Sequence, residues 1–333
     1  MSKPIVIKKK FQMEREDIQQ ALMHKIDPMI FRGKGREALK CKPEPILSVI
    51  SNAPFENKNV EQDFQKSPQA KQDIFVLILE GVHGIGKTTL LNQLRYAGFN
   101  VINEHFLNTF SNFILPATDE KKVDHNCAVE FAWAGQQMIN IVNMATNLRR
   151  KMYKRACLDL PRKPYDDLIV VDRCYLTGAA YGHFSESFDN FLKVFQGAYI
   201  QIEETHNIHP IYTYLKCDDL MKVFEHINNR IDSAKTFLTD EEAKKRRQLK
   251  EQDLMFLKQK NSRYEKFNEQ GIFDIIIYQD YDNNTIYKLI KAYEHYRHQF
   301  FMELIDKKHQ KEAEEESSSL YELNSDSLTD TEE

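Results

Sequence analysis

Residues 81–88 read Gly-Val-His-Gly-Ile-Gly-Lys-Thr, the pattern G-x-x-x-x-G-K-S/T, and no other stretch restricts the folding of this chain so strongly. Such a loop works only between a strand that ends beneath it and a helix that starts from it, since its N–H groups and the helix N-terminus must converge on one anion. The flanks agree. Residues 73–79 form a β-rich apolar run whose Ile74-Phe75-Val76-Leu77-Ile78-Leu79 reads as a buried parallel strand, and residues 88–96 set Leu90, Leu91 and Leu94 at helical spacing. Glycines let the backbone curl, Lys87 supplies a point charge for β and γ phosphates, and Thr88 offers a hydroxyl to Mg²⁺. The expected cradle for a nucleoside triphosphate is Gly81, Val82, His83, Gly84, Ile85, Gly86, Lys87, Thr88 and Thr89.

Beyond the loop, strand and helix patterns alternate. Further strands are expected at 100–103, 168–171, 211–215 and 272–278, with helices at 129–153, 185–202, 219–231, 241–269 and 284–305. Alternation of this kind predicts an α/β fold of three layers around a five-stranded parallel sheet, with ligands at the carboxyl ends of the strands. Glu80, Glu104 and Asp172 each stand near a strand end and are expected to look into one cleft.

The two ends differ from this middle. Residues 1–70 mix lysines, prolines and polar residues without sustained period, apart from a short helical pattern near 14–24, and are expected to form a mobile or loosely structured extension. Glu14, Glu16 and Asp17 arrive too early, and arginines are too sparse, for a mitochondrial presequence. Residues 309–333 are expected to be a disordered acidic tail, which leaves 71–308 as the folded domain. The last 23 residues hold one lysine against nine carboxylates, so the net charge of −4 conceals a slightly positive body. That balance gives no general basic surface for nucleic acid. Five cysteines without a C-x-x-C pair suggest neither a disulfide framework nor a zinc site. No apolar run approaches the about 20 residues of a membrane span. The expectation is a soluble, intracellular and most simply cytoplasmic protein acting on a small molecule, with a homodimer allowed.

The cleft residues suit phosphoryl transfer. Asp172 and Arg173 close the strand at 168–171 with an acid for Mg²⁺ or its waters and a guanidinium for transferring oxygens. Glu104 follows the strand at 100–103, where a carboxylate can accept the proton of an attacking hydroxyl. Trp133, Gln136 and Gln137 lie early in the long helix. An aromatic can stack on a base and an amide can make two bonds to its edge, with Gln136 narrowly preferred to Gln137. Residues 231–248, with Lys235, Lys244, Lys245, Arg246 and Arg247, form a candidate helical lid, and Arg230 stands where it could swing towards the nucleotide. The histidine pairs His206 with His209 and His295 with His298 lack a third ligand for a metal.

The order of these motifs resembles the nucleoside and nucleoside-monophosphate kinase family over residues 73–300. Residues 80–89 resemble the phosphate loop of herpesvirus-type thymidine kinases, histidine included. Asp172-Arg173-Cys174-Tyr175-Leu176-Thr177-Gly178-Ala179-Ala180-Tyr181 is similar to the thymidylate kinase signature D-R-x-x-x-S-G-x-A-F/Y, with Thr177 in place of serine. The resemblance implies a P-loop fold, ATP and Mg²⁺ as cofactors, and an enzyme of nucleotide metabolism feeding DNA synthesis. Lys87, Glu104, Arg173 and Arg230 would act in catalysis, Thr88 and Asp172 at the metal, and Tyr181 at the substrate. Two departures bear on the acceptor. Thymidylate kinases carry an arginine just before the glutamate and another on the following helix. Asn103 and Gly135 stand in those places here, and His105 replaces the proline that deoxynucleoside kinases place after the glutamate. With those cations missing, a deoxynucleoside such as thymidine is the expected acceptor and dTMP the alternative. An inactive nucleotide-binding scaffold is the third reading.

Overall fold

The computed structural model describes residues 11–12, 63–104, 110, 113, 122–182, 188–234, 252–279 and 284–326. The helical pattern near 14–24, His105, and lid residues 235–248 with their five cations lie outside them. The chain forms two compact units, Met1–Ile286 and Tyr287–Glu333.

The first unit is built on a parallel sheet. Its strands are β1 Phe11–Gln12, β2 Ile74–Glu80, β3 Asn100–Ile102, β4 Leu168–Asp172, β5 Ile208–Lys216 and β6 Ile275–Tyr278, in the order β1-β6-β5-β2-β4-β3. Strands β2 to β6 are the five expected ones. A sixth comes from the N-terminal extension, where Phe11 pairs with Ile275 and Gln12 with Ile276. Helices α1 Lys87–Tyr96, α2 Lys122–Cys157, α3 Tyr175–Tyr181, α4 Phe188–His206, α5 Leu220–Ala234 and α6 Leu254–Glu269 connect the strands.

Apolar continuity puts β2 in the centre. It pairs with β4 on one edge and β5 on the other, and all seven residues are buried. A strand wrapped on both faces cannot afford alternating polar positions. Leu77→Ala, at a fully buried site, would cost about 2–5 kcal/mol. The step from β2 to β3 runs one way across the sheet, while those from β3 through β6 run the other. Right-handed crossovers therefore set α1 on one face and α2 and α4 on the opposite face. The order reverses beside β2, so its carboxyl end opens on the crevice where such sheets bind ligands.

Strand limits shift for local reasons. β5 begins three residues before 211 and includes Pro210, paired with Val76. Its missing N–H breaks no ladder to β6, which joins β5 only from Thr213 to Lys216. Before β6, the Asp274 carboxylate accepts the Tyr212 N–H at 2.8 Å, taking the place of a strand partner. α6 starts at Leu254 because Asp253 caps it, accepting from the Phe256 N–H at 3.0 Å.

The final helix, α7 Thr285–Asp326, continues past the boundary expected at 308 and carries most of the acidic residues. Within it, Lys291 pairs with Glu294 at 2.7 Å. Among the described residues, no helix is long and apolar enough to cross a membrane.

Candidate active site

The loop leaves β2, and α1 begins at Lys87 behind Gly86. Two of its glycines are required by space as well as by backbone angle. A Cβ on Gly81 (φ 137°) would stand 2.6 Å from the Leu215 carbonyl oxygen, and one on Gly84 (φ 80°) would stand 2.3 Å from Ile227 Cγ1. The second clash shows how closely α5 lies on the loop. Val82 and Ile85 are buried beneath it, while Thr88 and Thr89 are exposed on the first turn of α1. From the end of β6, Gln279 Nε2 donates to the Ile85 carbonyl at 3.2 Å, and Gln279 Oε1 accepts from Thr285 Oγ1 at 2.6 Å. The cradle is braced from two sides.

Lys87 folds back across it, donating from Nζ to the carbonyls of Gly81 at 2.6 Å and Val82 at 2.9 Å. Burial, then Arg173, lowers its pKa to about 7, against the pull of Asp172, Glu80 and Glu104. These five charges share one neighbourhood.

Arg173 follows β4 in the left-handed region, with φ 69°. A side chain there costs about 1–3 kcal/mol, which surrounding bonds must offset. The Arg173 N–H donates to the Leu79 carbonyl at 3.1 Å, and the Cys174 N–H donates to Glu80 Oε1 at 2.7 Å. The turn so fixed brings Arg173 Nε to 3.2 Å from Glu104 Oε2 and 4.0 Å from Asp172 Oδ1. Its guanidinium also lies 5.3 Å from the Tyr181 ring centroid. Burial works against the Arg173 charge, yet Glu104 leads the groups that hold its pKa well above the usual value. Burial raises the Glu104 carboxyl above the usual carboxylate range, with Arg173 pulling the other way.

Asp172 Oδ1 is buried and accepts no hydrogen bond among the described residues. That unsatisfied hard oxygen and the exposed Thr88 hydroxyl, both at the carboxyl edge of the sheet, are donors of the kind Mg²⁺ takes, so the residues fit the ion.

Several expected roles change. Glu80 turns inward instead of joining Glu104 and Asp172 in the cleft. It is fully buried and accepts from Cys174 N, Thr177 Oγ1 at 2.6 Å and the Tyr264 hydroxyl at 2.9 Å. Three converging donors make it an anchor for α3. Gln136 is exposed and bonded to Asn140, whereas Gln137 is 2 % exposed and donates to the Asp172 carbonyl at 3.2 Å. Of the two amides expected near a base, Gln136 thus faces solvent and Gln137, one helical step round, faces the end of β4. Trp133 is not an open stacking surface, because it is buried with Cζ3 against Gly178. Tyr181 reaches the loop itself, its hydroxyl accepting from the His83 N–H at 2.8 Å and lying 2.9 Å from His83 Nδ1. Arg230 is exposed near the end of α5.

No protein-family model and no curated protein matches the chain. Among solved structures it is similar to a deoxyadenosine kinase from M. mycoides with bound dATP, at 15% identity and a TM-score of 0.36, over 67% of this chain and 100% of that one.

Sequence patterns do not point to the supports of α3. Arg263 Nη1 donates to the carbonyls of Ala180 at 2.8 Å and Gly182 at 3.0 Å, and Lys260 Nζ donates to that of Tyr181 at 3.1 Å. Both sit on α6, where cations satisfy the last carbonyls of another helix. Among the described residues no group of three or more His, Cys, Asp or Glu is gathered for a metal, and His209 is held by Asp73 at 2.8 Å and Glu203 at 3.1 Å.

Proposed function

We propose that the chain is a phosphotransferase that uses ATP and Mg²⁺ to phosphorylate the 5′ oxygen of a deoxynucleoside, thymidine or a related pyrimidine. The observation that carries this reading is the Arg173–Glu104 pair, 3.2 Å apart, in the same charge cluster as Lys87 of the phosphate loop. A carboxylate paired with an arginine beside a transferring phosphoryl group can orient a hydroxyl and take its proton.

In this reading Glu104 accepts the 5′ hydroxyl proton as that oxygen bonds to the γ-phosphorus and the bond to the β–γ bridging oxygen breaks. Lys87 and Arg173 neutralise the charge spread over the phosphoryl oxygens. Asp172 and Thr88 hold Mg²⁺, which when bound draws charge from the phosphates. Gln137 offers its amide to the base, and its bond to the Asp172 carbonyl ties base position to the metal side of the site.

A second reading, dTMP as acceptor, has one observation in its favour. Arg95 Nη2 donates to Asn103 Oδ1 at 2.5 Å, bringing a guanidinium from α1 to the place where the sequence lacks one. Purified chain assayed with MgATP against thymidine, the other deoxynucleosides and dTMP separates the two. Turnover of dTMP alone reverses the order, and ATP binding without transfer to any acceptor removes the enzymatic reading.

A further inference from the structure

Side-chain amides on α2 form a run of hydrogen bonds whose direction is not free. Gln136 Nε2 donates to Asn140 Oδ1 at 3.0 Å, Asn140 Nδ2 donates to Gln137 Oε1 at 3.5 Å, and Gln137 Nε2 donates to the Asp172 carbonyl at 3.2 Å. An amide can be turned over, exchanging its oxygen and nitrogen, so each link is settled only by its neighbours. The last link decides the rest. A backbone carbonyl accepts and never donates, so Gln137 must turn Nε2 to Asp172 and Oε1 to Asn140. Asn140 must then meet it with Nδ2, which leaves Oδ1 for Gln136. Bonds aligned head to tail in this way also polarise one another, which strengthens each.

Gln137 keeps one N–H and one oxygen lone pair for a ligand, in an order that the run has fixed. Pyrimidine bases differ in that order. Thymine sets an N3–H donor beside the O4 acceptor, whereas cytosine sets an N3 acceptor beside its N4 amine. With the 5′ oxygen held at Glu104, the base enters only one way round. A glutamine free to turn over then serves both bases, while a fixed one serves the first and sets like against like with the second. We infer that Asn140 is a positioning residue that locks the Gln137 amide and so makes the site discriminate between thymidine and deoxycytidine. This rests on the reading of a pyrimidine nucleoside as acceptor with Gln137 at its base. Asn140 is half-buried and lines a cleft of about 330 Å³ against β3, whose wall includes Asn103, Asn143, Asn147 and Met144 and no charged side chain. Water reaches the lock from that side.

Asn140→Asp keeps the shape of the side chain and removes its donor. The carboxylate, ionised at pH 8 in a cleft open to water, accepts only and should turn Gln137 over. Asn140→Ala removes the donor without demanding an N–H, so the Asp172 carbonyl should hold Gln137 as before. Steady-state kinetics of the full chain with MgATP give kcat/KM for each nucleoside. The wild type should favour thymidine over deoxycytidine about ten- to a hundredfold, the worth of two hydrogen bonds. Asn140→Ala should keep that ratio within about threefold, while Asn140→Asp should bring it to about one or invert it. A side chain that only packs would move both variants alike, and its loss would show in the urea midpoint. In a Gln137→Ala background, Asn140→Asp should leave the ratio where it stands, because the amide it turns is gone. An active enzyme whose ratio is the same in Asn140→Asp as in the wild type overturns this inference alone. Transfer to neither nucleoside overturns the underlying reading and the inference with it.

Discussion

The state of Lys87 makes nucleotide binding a proton-linked event. In the folded chain its amine is buried against two carbonyls and next to Arg173, and its pKa lies at about 7 in place of 10.5. At pH 8 a group of that pKa is neutral in about nine molecules of ten. A triphosphate brings several negative charges within reach of the amine and favours the ammonium, so binding should take up about 0.9 proton at pH 8 and only about 0.1 at pH 6. The nucleotide contributes little of its own at pH 8, since a terminal phosphate with a second pKa of about 6 is already dianionic. Calorimetric titration with MgATP in buffers of different ionisation enthalpy gives the proton number as a slope. Lys87→Met should bind more weakly and without uptake. Linkage has a matching sign in stability. The unfolded chain keeps the Lys87 proton up to 10.5 and the folded chain releases it near 7, so this group makes stability rise with pH between those values. A proton number near zero for the wild type at pH 8, or the same uptake in Lys87→Met, would refute the argument.

Three further outcomes follow from the same geometry. Glu104→Gln should lower kcat about 10²–10⁴-fold with a smaller change in KM for the acceptor. Because burial raises the Glu104 carboxyl, the wild-type rate should fall with decreasing pH through a limb above the ordinary glutamate range, and a pH–rate profile of the variant should lack it. Gln137→Ala should raise the acceptor KM about tenfold while the exposed Gln136→Ala stays within about twofold, a contrast read from steady-state kinetics. Glu80→Ala strands the donors of Cys174, Thr177 and Tyr264 and should cost about 3–5 kcal/mol in urea unfolding, whereas a loss below about 1 kcal/mol would contradict the anchor role.

The two glutamines show where sequence reasoning reached its limit. They are adjacent, both lie on α2, and an amide side chain carries no mark of direction. A usable signal was present. Counting by three and four from the buried Trp133 and Ala134 arrives at Gln137 and then Ile141, which are also buried. The aromatic pattern was ambiguous in another way, since Trp133 at helical spacing suits a stacking surface and a core equally until a packing partner such as Gly178 is known.

What this chain determined by itself is local. A strand with six apolar residues in a row, a turn that only glycine can follow, and a lysine at the head of the next helix lie within residues 74–87, so their relation needs no knowledge of the rest. The sense of the sheet and the edge on which Lys87, Glu104, Asp172 and Arg173 would meet follow from alternating strand and helix patterns. The tertiary structure decided the direction of each polar group once distant segments met. Glu80 is turned inward by Tyr264, 184 residues on, and Tyr181 holds His83 across 98 residues. A buried carboxylate goes where its donors are, and only the folded chain brings those donors together.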